Sequence, residues 1–499
     1  SKQFNIVKRL LTREDVGCIY VCTDSGREGE YIYRLVDMMA EVGPKEKRRV
    51  WIDSQTEEEI LRGVQEAKLL SEYDNLSSSA YLRAQEDYLM GINFSRVLSL
   101  KYSYTIKNYL GMDRCVIAVG RVMTCVLGII VKREREIREF TKTPFYRVLA
   151  TVNLGENNFE AEWKSVNGSR YFESPLLYKE NGFKKRESAQ KLIDEISEPK
   201  PMEAIIEAID KKVEKKNPPL LYNLAELQND CSRIFKISPA ETLKVVQELY
   251  EKKLVTYPRT DARVLSTAVS KEIYKNISGL KNYTLVSEYA NKIIEQGGYK
   301  NISKSRYVDD KQITDHYAII PTGQGINSLS SVSNESAKIY ELITRRFLSI
   351  FYPPAKYNKL SITCNRLDER FFSNFKVLIS EGYLKVATTS FAKKKEDEDE
   401  KYSEGLLKDI AELKKGGILV FDRLDIKEGE TSPPKRYTSG TLILAMENAG
   451  QLIEDEELRA QIKSSGIGTS ATRDSIIEKL VKNKYIGLNK KTQIVTPTL

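Results

Sequence analysis

Two strand-like regions separated by a long helical block constrain this chain more than any other feature. Residues 146–154 (YRVLATVNL) and 159–166 (FEAEWKSV) alternate apolar and polar side chains. That is the period of a strand with one buried face. Strand-like runs return at 358–364, 370–388 and 417–425. Between the two regions, 222–253 reads as two helices and 264–350 as mostly helical. This order predicts one β-rich domain interrupted by a helical domain.

The remaining segments add further divisions. Residues 17–23 (GCIYVCT) read as a short buried strand and 27–41 as a helix. Acidic residues stand at the C-terminal end of that strand, where α/β sheets keep their sites. The first 16 residues look helical, as do 56–140 and the final 65. The prolines in KKNPP (215–219) mark a junction, and KKKEDEDEK (393–401) a charged, solvated loop. A chain of 499 residues holds about three or four domains at roughly 150 residues each. The fold class expected is multidomain α/β plus α+β. The divisions are 1–52; 53–143 completed by 432–499; 144–216 completed by 347–431; and 217–346.

Composition excludes some classes. No run of about 18 apolar residues appears, so no membrane span is expected. The 79 basic and 70 acidic residues give a net charge of +9, compatible with nucleic acid without specifying it. Lys211, Lys212, Lys215 and Lys216 read as a solvated face or linker. Of six scattered cysteines only Cys18 and Cys22 lie close together, and no second pair completes a zinc site. A reducing cytoplasm fits that usage.

Five short motifs carry chemistry, and each has a bland alternative. LVTYPRTDAR (254–263) puts Tyr257 beside Arg259 and Asp261. A Tyr-Pro pair there is an anchor and a turn, or else a nucleophile whose developing charge a guanidinium stabilises. TDSGREGE (23–30) sets Asp24 and Glu28 around a glycine turn. They are either carboxylates for Mg²⁺ or a helix start capped by Asp24, and Glu30 reads as structural. DHYAIIPT (315–322) holds His316, the chain's single histidine. It is a structural ring or a donor to phosphate. VGRVMT (119–124) places Arg121 at a helix start, which suits an anion or an ordinary cap. GIGTSATR (466–473) offers Thr469, Thr472 and Arg473 to a phosphate, or is a turn between helices. Arg83 and Asp87, four apart on one helix, look like an ion pair.

Together these motifs resemble the type IA DNA topoisomerases, with the bacterial topoisomerase III branch nearest. VWIDSQTEEEI (50–60), LRAQEDYLMGINFSR (82–96), PPLLYNLAELQ (218–228) and VVQELYEKKLVTY (245–257) extend the resemblance over nearly the whole chain. It implies a toroid of four domains, with 1–52 a partial Toprim domain and 217–346 the helical domain carrying the tyrosine. It implies that Tyr257 attacks a phosphodiester of single-stranded DNA and becomes joined to the 5′ phosphate, without ATP. Tyr257, Arg259, His316 and Glu251 would be catalytic. Arg83, Arg96, Arg121, Gln247, Asp261, Thr469, Thr472 and Arg473 would bind DNA. Asp24 and Glu28 would hold Mg²⁺. The implied partner is DNA, with a helicase as a further one, for a monomer acting in the bacterial cytoplasm on nucleoid or plasmid DNA.

The chain departs from the family pattern in places. Gly26 stands where an aspartate is common, Met123 and Cys125 replace Gln and Pro, Ser470 replaces Pro, and Tyr317 replaces a second histidine. Only 16 residues precede the first strand, whereas a Toprim domain opens on a strand carrying a glutamate. The chain is therefore expected to be N-terminally truncated and to cleave or reseal poorly. Two other classes stand beside the strand-passing enzyme. One is a single-stranded-DNA-binding fragment or accessory protein without chemistry. The other is a metal-dependent nuclease that relies on Asp24 rather than Tyr257.

Overall fold

The computed structural model describes residues 2–52, 57–111, 113, 115–313, 315–392, 404–452 and 466–498. Two compact units emerge, one from Ser1–Glu134, Pro219–Phe351 and Arg436–Leu499, the other from Arg135–Pro218 and Tyr352–Lys435. The charged stretch 393–401 lies outside the described residues.

The second unit is built on a closed sheet. Its ring runs Ile418–Glu430, Met202–Lys216, Ala355–Arg366, Glu369–Ser380, Asn157–Lys164 and Pro144–Leu154, and the last strand pairs back onto the first. Every neighbouring pair is antiparallel. The closing ladder sets Val420 opposite Asn153 and Glu430 opposite Pro144. Closure leaves these six strands no open edge, the usual remedy for unpaired backbone groups. The alternation seen in the sequence buries Val148, Ala150, Val152, Phe159, Ala161 and Trp163 inside. Glu369 is buried there as well. It accepts hydrogen bonds from the Trp163 indole at 2.7 Å, the Ser169 hydroxyl at 2.7 Å and the Arg170 amide at 2.9 Å, which satisfies its charge.

Three expectations need correction in detail. The lysine run 211–216 is solvated, one of the two expectations, but it is no linker: it is the last part of the strand Met202–Lys216, extended along Ala355–Arg366. The strand expected to reach residue 388 ends at Ser380, and Leu384–Ala387 is a helical turn. The C-terminal stretch is not all helical, since Ile486–Leu488 and Val495–Pro497 form a hairpin.

The first unit is mostly helical around a small sheet. Cys18–Val21 pairs in parallel with Glu46–Arg49, a strand the sequence reading did not foresee, and this pairs antiparallel with Lys68–Leu69. The helices Lys2–Leu11 and Arg27–Ala40 fall where the pattern placed them. Asp74–Leu110 is a single long helix, followed by Arg121–Arg138. Next come Leu224–Phe235, capped by Asn223, and Pro239–Glu251, opened by a reciprocal Ser238/Glu241 capping box with proline at its first position. Val126, Ile130, Ala225, Leu442, Ile443 and Leu480 pack into one core of this unit, so the sequence-distant helices are tied together.

Candidate active site and adjoining groove

Tyr257 is positioned by a backbone zipper. Past the helix Pro239–Glu251, the Thr256 amide donates to the Ile320 carbonyl at 2.9 Å, and the Thr322 amide to the Leu254 carbonyl at 3.0 Å. The Thr256 hydroxyl donates to the Ala318 carbonyl (3.0 Å) and accepts from the Ile320 amide (2.9 Å). The Thr260 hydroxyl donates to the His316 carbonyl at 2.7 Å. Two sequence-distant motifs, YPRTD and DHYAIIPT, thus lie side by side, which brings the His316 ring centroid to 4.4 Å from that of Tyr257. Tyr250, in the last turn of that helix, meets Tyr257 edge-on at 5.4 Å.

The electrostatics of the phenol follow from that setting. Burial raises the Tyr257 hydroxyl pKa above its ordinary value; Arg259 opposes the rise, while Asp24, Tyr250 and Asp315 add to it. The group is a held, protonated phenol and not a free phenolate. The Nε2 atom of His316 is buried and has no hydrogen-bond partner among the described residues. A buried imidazole nitrogen left unpaired costs stability. It is therefore a candidate for a partner that arrives with substrate.

Asp24 reaches the same cavity from the glycine turn. Arg49, fully buried, donates to the carbonyls of Val21 (3.1 Å), Thr23 (2.6 Å) and Asp24 (2.5 Å), and its Nε donates to Glu30 at 3.0 Å. Glu30 is also fully buried and accepts from Arg34 at 2.8 Å, the structural role its position suggested. Gly29 is required here, because an added Cβ would stand 2.1 Å from the Asp24 carbonyl oxygen. The alternative reading of Asp24 as a helix cap is not met: the N-cap is Gly26, with no side-chain cap. Asp24, Glu251, Tyr257, Asp315 and His316 line one cavity of about 630 Å³. Glu28 is exposed on the first helical turn and is not part of that lining. Among the described residues no group of three or more His, Cys, Asp or Glu side chains is placed to hold a metal. Arg259 is exposed beside the phenol.

A larger groove of about 1580 Å³ adjoins this segment, and Arg83, Arg121, Asp261, Thr469 and Arg473 line it. Arg121 starts its helix as expected, but its guanidinium grips Asp87 at 2.8 and 3.2 Å. The ion pair proposed between Arg83 and Asp87 is therefore Arg121–Asp87, a contact between helices and not along one. Arg121 also holds the Asp87 carboxyl below the usual carboxylate range. Arg473 is buried, and its donors are taken by Asp261 at 2.9 Å and by the carbonyls of Ile467 and Gly468. Thr472 accepts from the Thr469 amide at 3.1 Å and is not part of the lining. Gln247 donates to Glu251 at 3.1 Å, and both line a separate cavity on the helix before Tyr257. Arg96 is exposed further along the helix Asp74–Leu110 and lines neither cavity. The sequence reading missed Asn223 and Glu447, which also line the groove. Asn223 left a signal as asparagine before a helix; Glu447 left none.

Comparison with known proteins fits this arrangement. The DNA topoisomerase family profile matches residues 71–498. DNA topoisomerase 3 of Bacillus subtilis is 34% identical over 501 residues, covering 99% of this chain and 63% of that protein. DNA topoisomerase 3 of Bacillus licheniformis is likewise 34% identical, over 502 residues. The chain spans 63% of the length of these curated relatives. Full-length topoisomerase I from Thermotoga maritima shares the fold, with a TM-score of 0.64 at 22% identity, across all of this chain and 71% of that one. The closed sheet and the helical unit thus define a mixed α/β fold like that of a type IA topoisomerase. The chain belongs to the type IA DNA topoisomerase family, and the curated relatives it matches are DNA topoisomerases 3.

Proposed function

We propose that this chain carries the strand-breaking tyrosine of an ATP-independent topoisomerase acting on single-stranded segments of DNA. The observation that supports it most is the joining of YPRTD to DHYAIIPT, which sets Tyr257 4.4 Å from the His316 ring in a cavity shared with Asp24. In the reaction, the Tyr257 oxygen bonds to the phosphorus and the bond to the 3′ oxygen breaks. The phenolic proton leaves Tyr257, and the 3′ oxygen leaves as a hydroxyl after taking up a proton. Resealing is the reverse attack, so the ester conserves the bond and no nucleotide is consumed. Passage of another strand before resealing relaxes negative supercoils or separates linked DNA.

The chain's own groups divide the work. Arg259 is the neighbour that favours the phenolate, and its fork suits a phosphate oxygen. His316 Nε2, unpaired in the cavity, donates to that phosphate. Glu251, on the rim, is held by Gln247. Arg83 and Arg121 face the groove where the strand approaches. Asp24 and Glu28 are a donor set that suits Mg²⁺, which takes one or two carboxylates and keeps several waters. A bound Mg²⁺ would supply positive charge near the scissile phosphate. On this reading 1–52 is part of a Toprim domain, the whole protein is a toroid, and a monomer works in the cytoplasm with a helicase opening the duplex.

The test is a labelled single-stranded oligonucleotide, with the product run on a denaturing gel with and without Mg²⁺. A covalent adduct that disappears in Tyr257→Phe is expected. Cutting that persists in Tyr257→Phe and vanishes in Asp24→Asn would replace this reading with a nuclease. Binding without any cutting would leave a DNA-binding protein.

A further inference from the structure

The unit that carries the closed sheet holds a cavity lined by its own residues alone. Its volume is about 280 Å³. That lies just under the roughly 300–1,000 Å³ of sites for drug-sized ligands, so it suits a smaller molecule. Three strands floor it, in two rows fixed by register. Lys211, Leu360 and Phe375 stand opposite one another, as do Val213, Asn358 and Val377. Directly opposed residues share a face, so both rows point to the same side of the sheet. Leu407 and Ile410, on the helix Glu404–Glu412, complete the lining.

The cavity is apolar inside and cationic at its mouth. Phe375 and Ile410 are buried, whereas Lys211, Val213 and Asn358 are exposed. The Lys211 ammonium donates to the Ala411 carbonyl at 3.0 Å, in the last turn of that helix, where a cation is favoured. An ammonium has three donors, so it keeps capacity for a further acceptor. The charged residues of the lining are Lys211, Lys212 and Lys359, and no carboxylate is among them. Lys212 and Lys359 oppose each other on the other face of the sheet, where Glu214 stands 2.8 Å from the Lys359 ammonium. Glu214 thus offsets charge on that face, and Lys211 has no carboxylate partner among the described residues.

We propose that this cavity binds a small apolar monocarboxylate. Its tail lies inward against Phe375 and Ile410, and its carboxylate rests at the mouth on Lys211, with the Asn358 amide as a second donor. An apolar pocket with a few convergent polar groups is the usual form of a small-ligand site. The charge-assisted bond from ammonium to carboxylate selects an acid over a neutral molecule of the same shape. At the roughly 30 Å³ that a water takes in the liquid, the space holds about nine non-hydrogen atoms, the size of an acid of about eight carbons. A medium-chain fatty acid and a small aromatic acid share this chemistry. The site lies in a different unit from Tyr257 and does not depend on the function proposed above.

Isothermal titration of the full chain with sodium octanoate, sodium phenylpropanoate and octanol tests it, without DNA. Saturable binding of an acid at one site is expected, and the tighter of the two acids tells a fatty source from an aromatic one. Octanol should bind about tenfold more weakly than octanoate, for want of the ionic bond. Lys211→Met should bring octanoate down about tenfold, to the level of octanol, and leave octanol unchanged, which also shows the cavity intact. Asn358→Asp sets a carboxylate at the mouth and should weaken octanoate while sparing octanol. Val213→Trp fills the mouth and should abolish both. All three positions are exposed, so these variants should fold, and thermal melts check it. Octanoate should raise the Tm of the unmutated chain and not that of Val213→Trp. Octanol as tight as octanoate, or octanoate binding unchanged in Lys211→Met or in Val213→Trp, overturns the site. So does a failure of both acids to saturate at millimolar concentration.

Discussion

The Arg473 guanidinium stands 2.9 Å from the carboxylate of Asp261, four residues beyond Tyr257. The pair fastens the glycine loop 466–468 to the tyrosine segment. Asn223 reinforces it, donating to the Asp261 carbonyl at 3.0 Å and to the Glu447 carboxylate at 2.6 Å. Burial raises the Glu447 carboxyl, and the nearby Arg473 opposes the rise. Gly466 has no room for a side chain, since a Cβ would lie 2.8 Å from the Arg473 guanidinium. Arg473, which lines the groove, thus holds two protein segments together.

Arg473→Lys is expected to destabilise the chain by about 1–3 kcal/mol, because an ammonium cannot serve a carboxylate and two carbonyls in the geometry of a planar fork. Asp261→Ala should cost less, since half of that side chain is in water and an exposed partner contributes little. Urea titration followed by circular dichroism measures both. A lysine variant with the wild-type midpoint would show that the fork geometry is unimportant.

Arg49→Ala should be the more damaging change. Glu30 and Arg49 are both fully buried and bonded at 3.0 Å, so removing this cation takes one of two partners from a buried carboxylate, Arg34 remaining, and leaves the Val21, Thr23 and Asp24 carbonyls without their donor. The expected loss is about 3–5 kcal/mol, and the Thr23–Asp24 turn loses its internal clamp. Hydrogen exchange by mass spectrometry should show the segment 21–30 opening first. Protection there equal to wild type would refute the clamp.

Much of the framework was legible because it rests on local periodicity. The alternation of 146–154 and 159–166 marked two strands of the closed sheet, and the pattern of 222–253 marked the two helices before Tyr257. The strand Met202–Lys216 escaped because half of it lies in water and its lysines mask the period. Glu46–Arg49 escaped because EKRR carries no β-branched residue; its pairing with Cys18–Val21 and the burial of Arg49 make it a strand. The site was readable as motifs but not as geometry. Nothing in the spacing shows that Thr256 and Thr260 would fasten YPRTD to DHYAIIPT, or that Asp87 would turn to Arg121 and away from Arg83. Those pairings belong to tertiary structure.

Stability should fall at alkaline pH because of buried phenols. Burial pushes the Tyr317 hydroxyl up to about 12 and that of Tyr222 well above its ordinary value. An unfolded tyrosine ionises near pH 10, whereas these folded ones keep their protons. Below about pH 10 both states are protonated and stability is unaffected; above it the unfolded state gains by ionising, at about 1.4 kcal/mol per pH unit for each phenol. Thermal melts from pH 8 to 11.5 should show Tm dropping past pH 10, less steeply in Tyr317→Phe. An equally steep drop in that variant would remove Tyr317 from the account.

Two of the charges that act on Tyr257 should move its titration in opposite directions. A cation favours the phenolate and an anion disfavours it. Arg259 is the neighbour that lowers the hydroxyl, and Asp24 the carboxylate that raises it most. Arg259→Gln should therefore shift the phenol to higher pH and Asp24→Asn to lower pH. Titration of the ¹³Cζ resonance of Tyr257, assigned by its loss in Tyr257→Phe, reads this directly without DNA or Mg²⁺. The adduct-forming rate should follow in the first variant, its rising limb moving to higher pH. For Asp24→Asn the two readouts separate the roles of the carboxylate. If the phenol titrates lower yet adduct formation collapses only when Mg²⁺ is present, Asp24 acts through the cation. If the resonance does not move in Asp24→Asn, the electrostatic link between the glycine turn and the tyrosine is wrong.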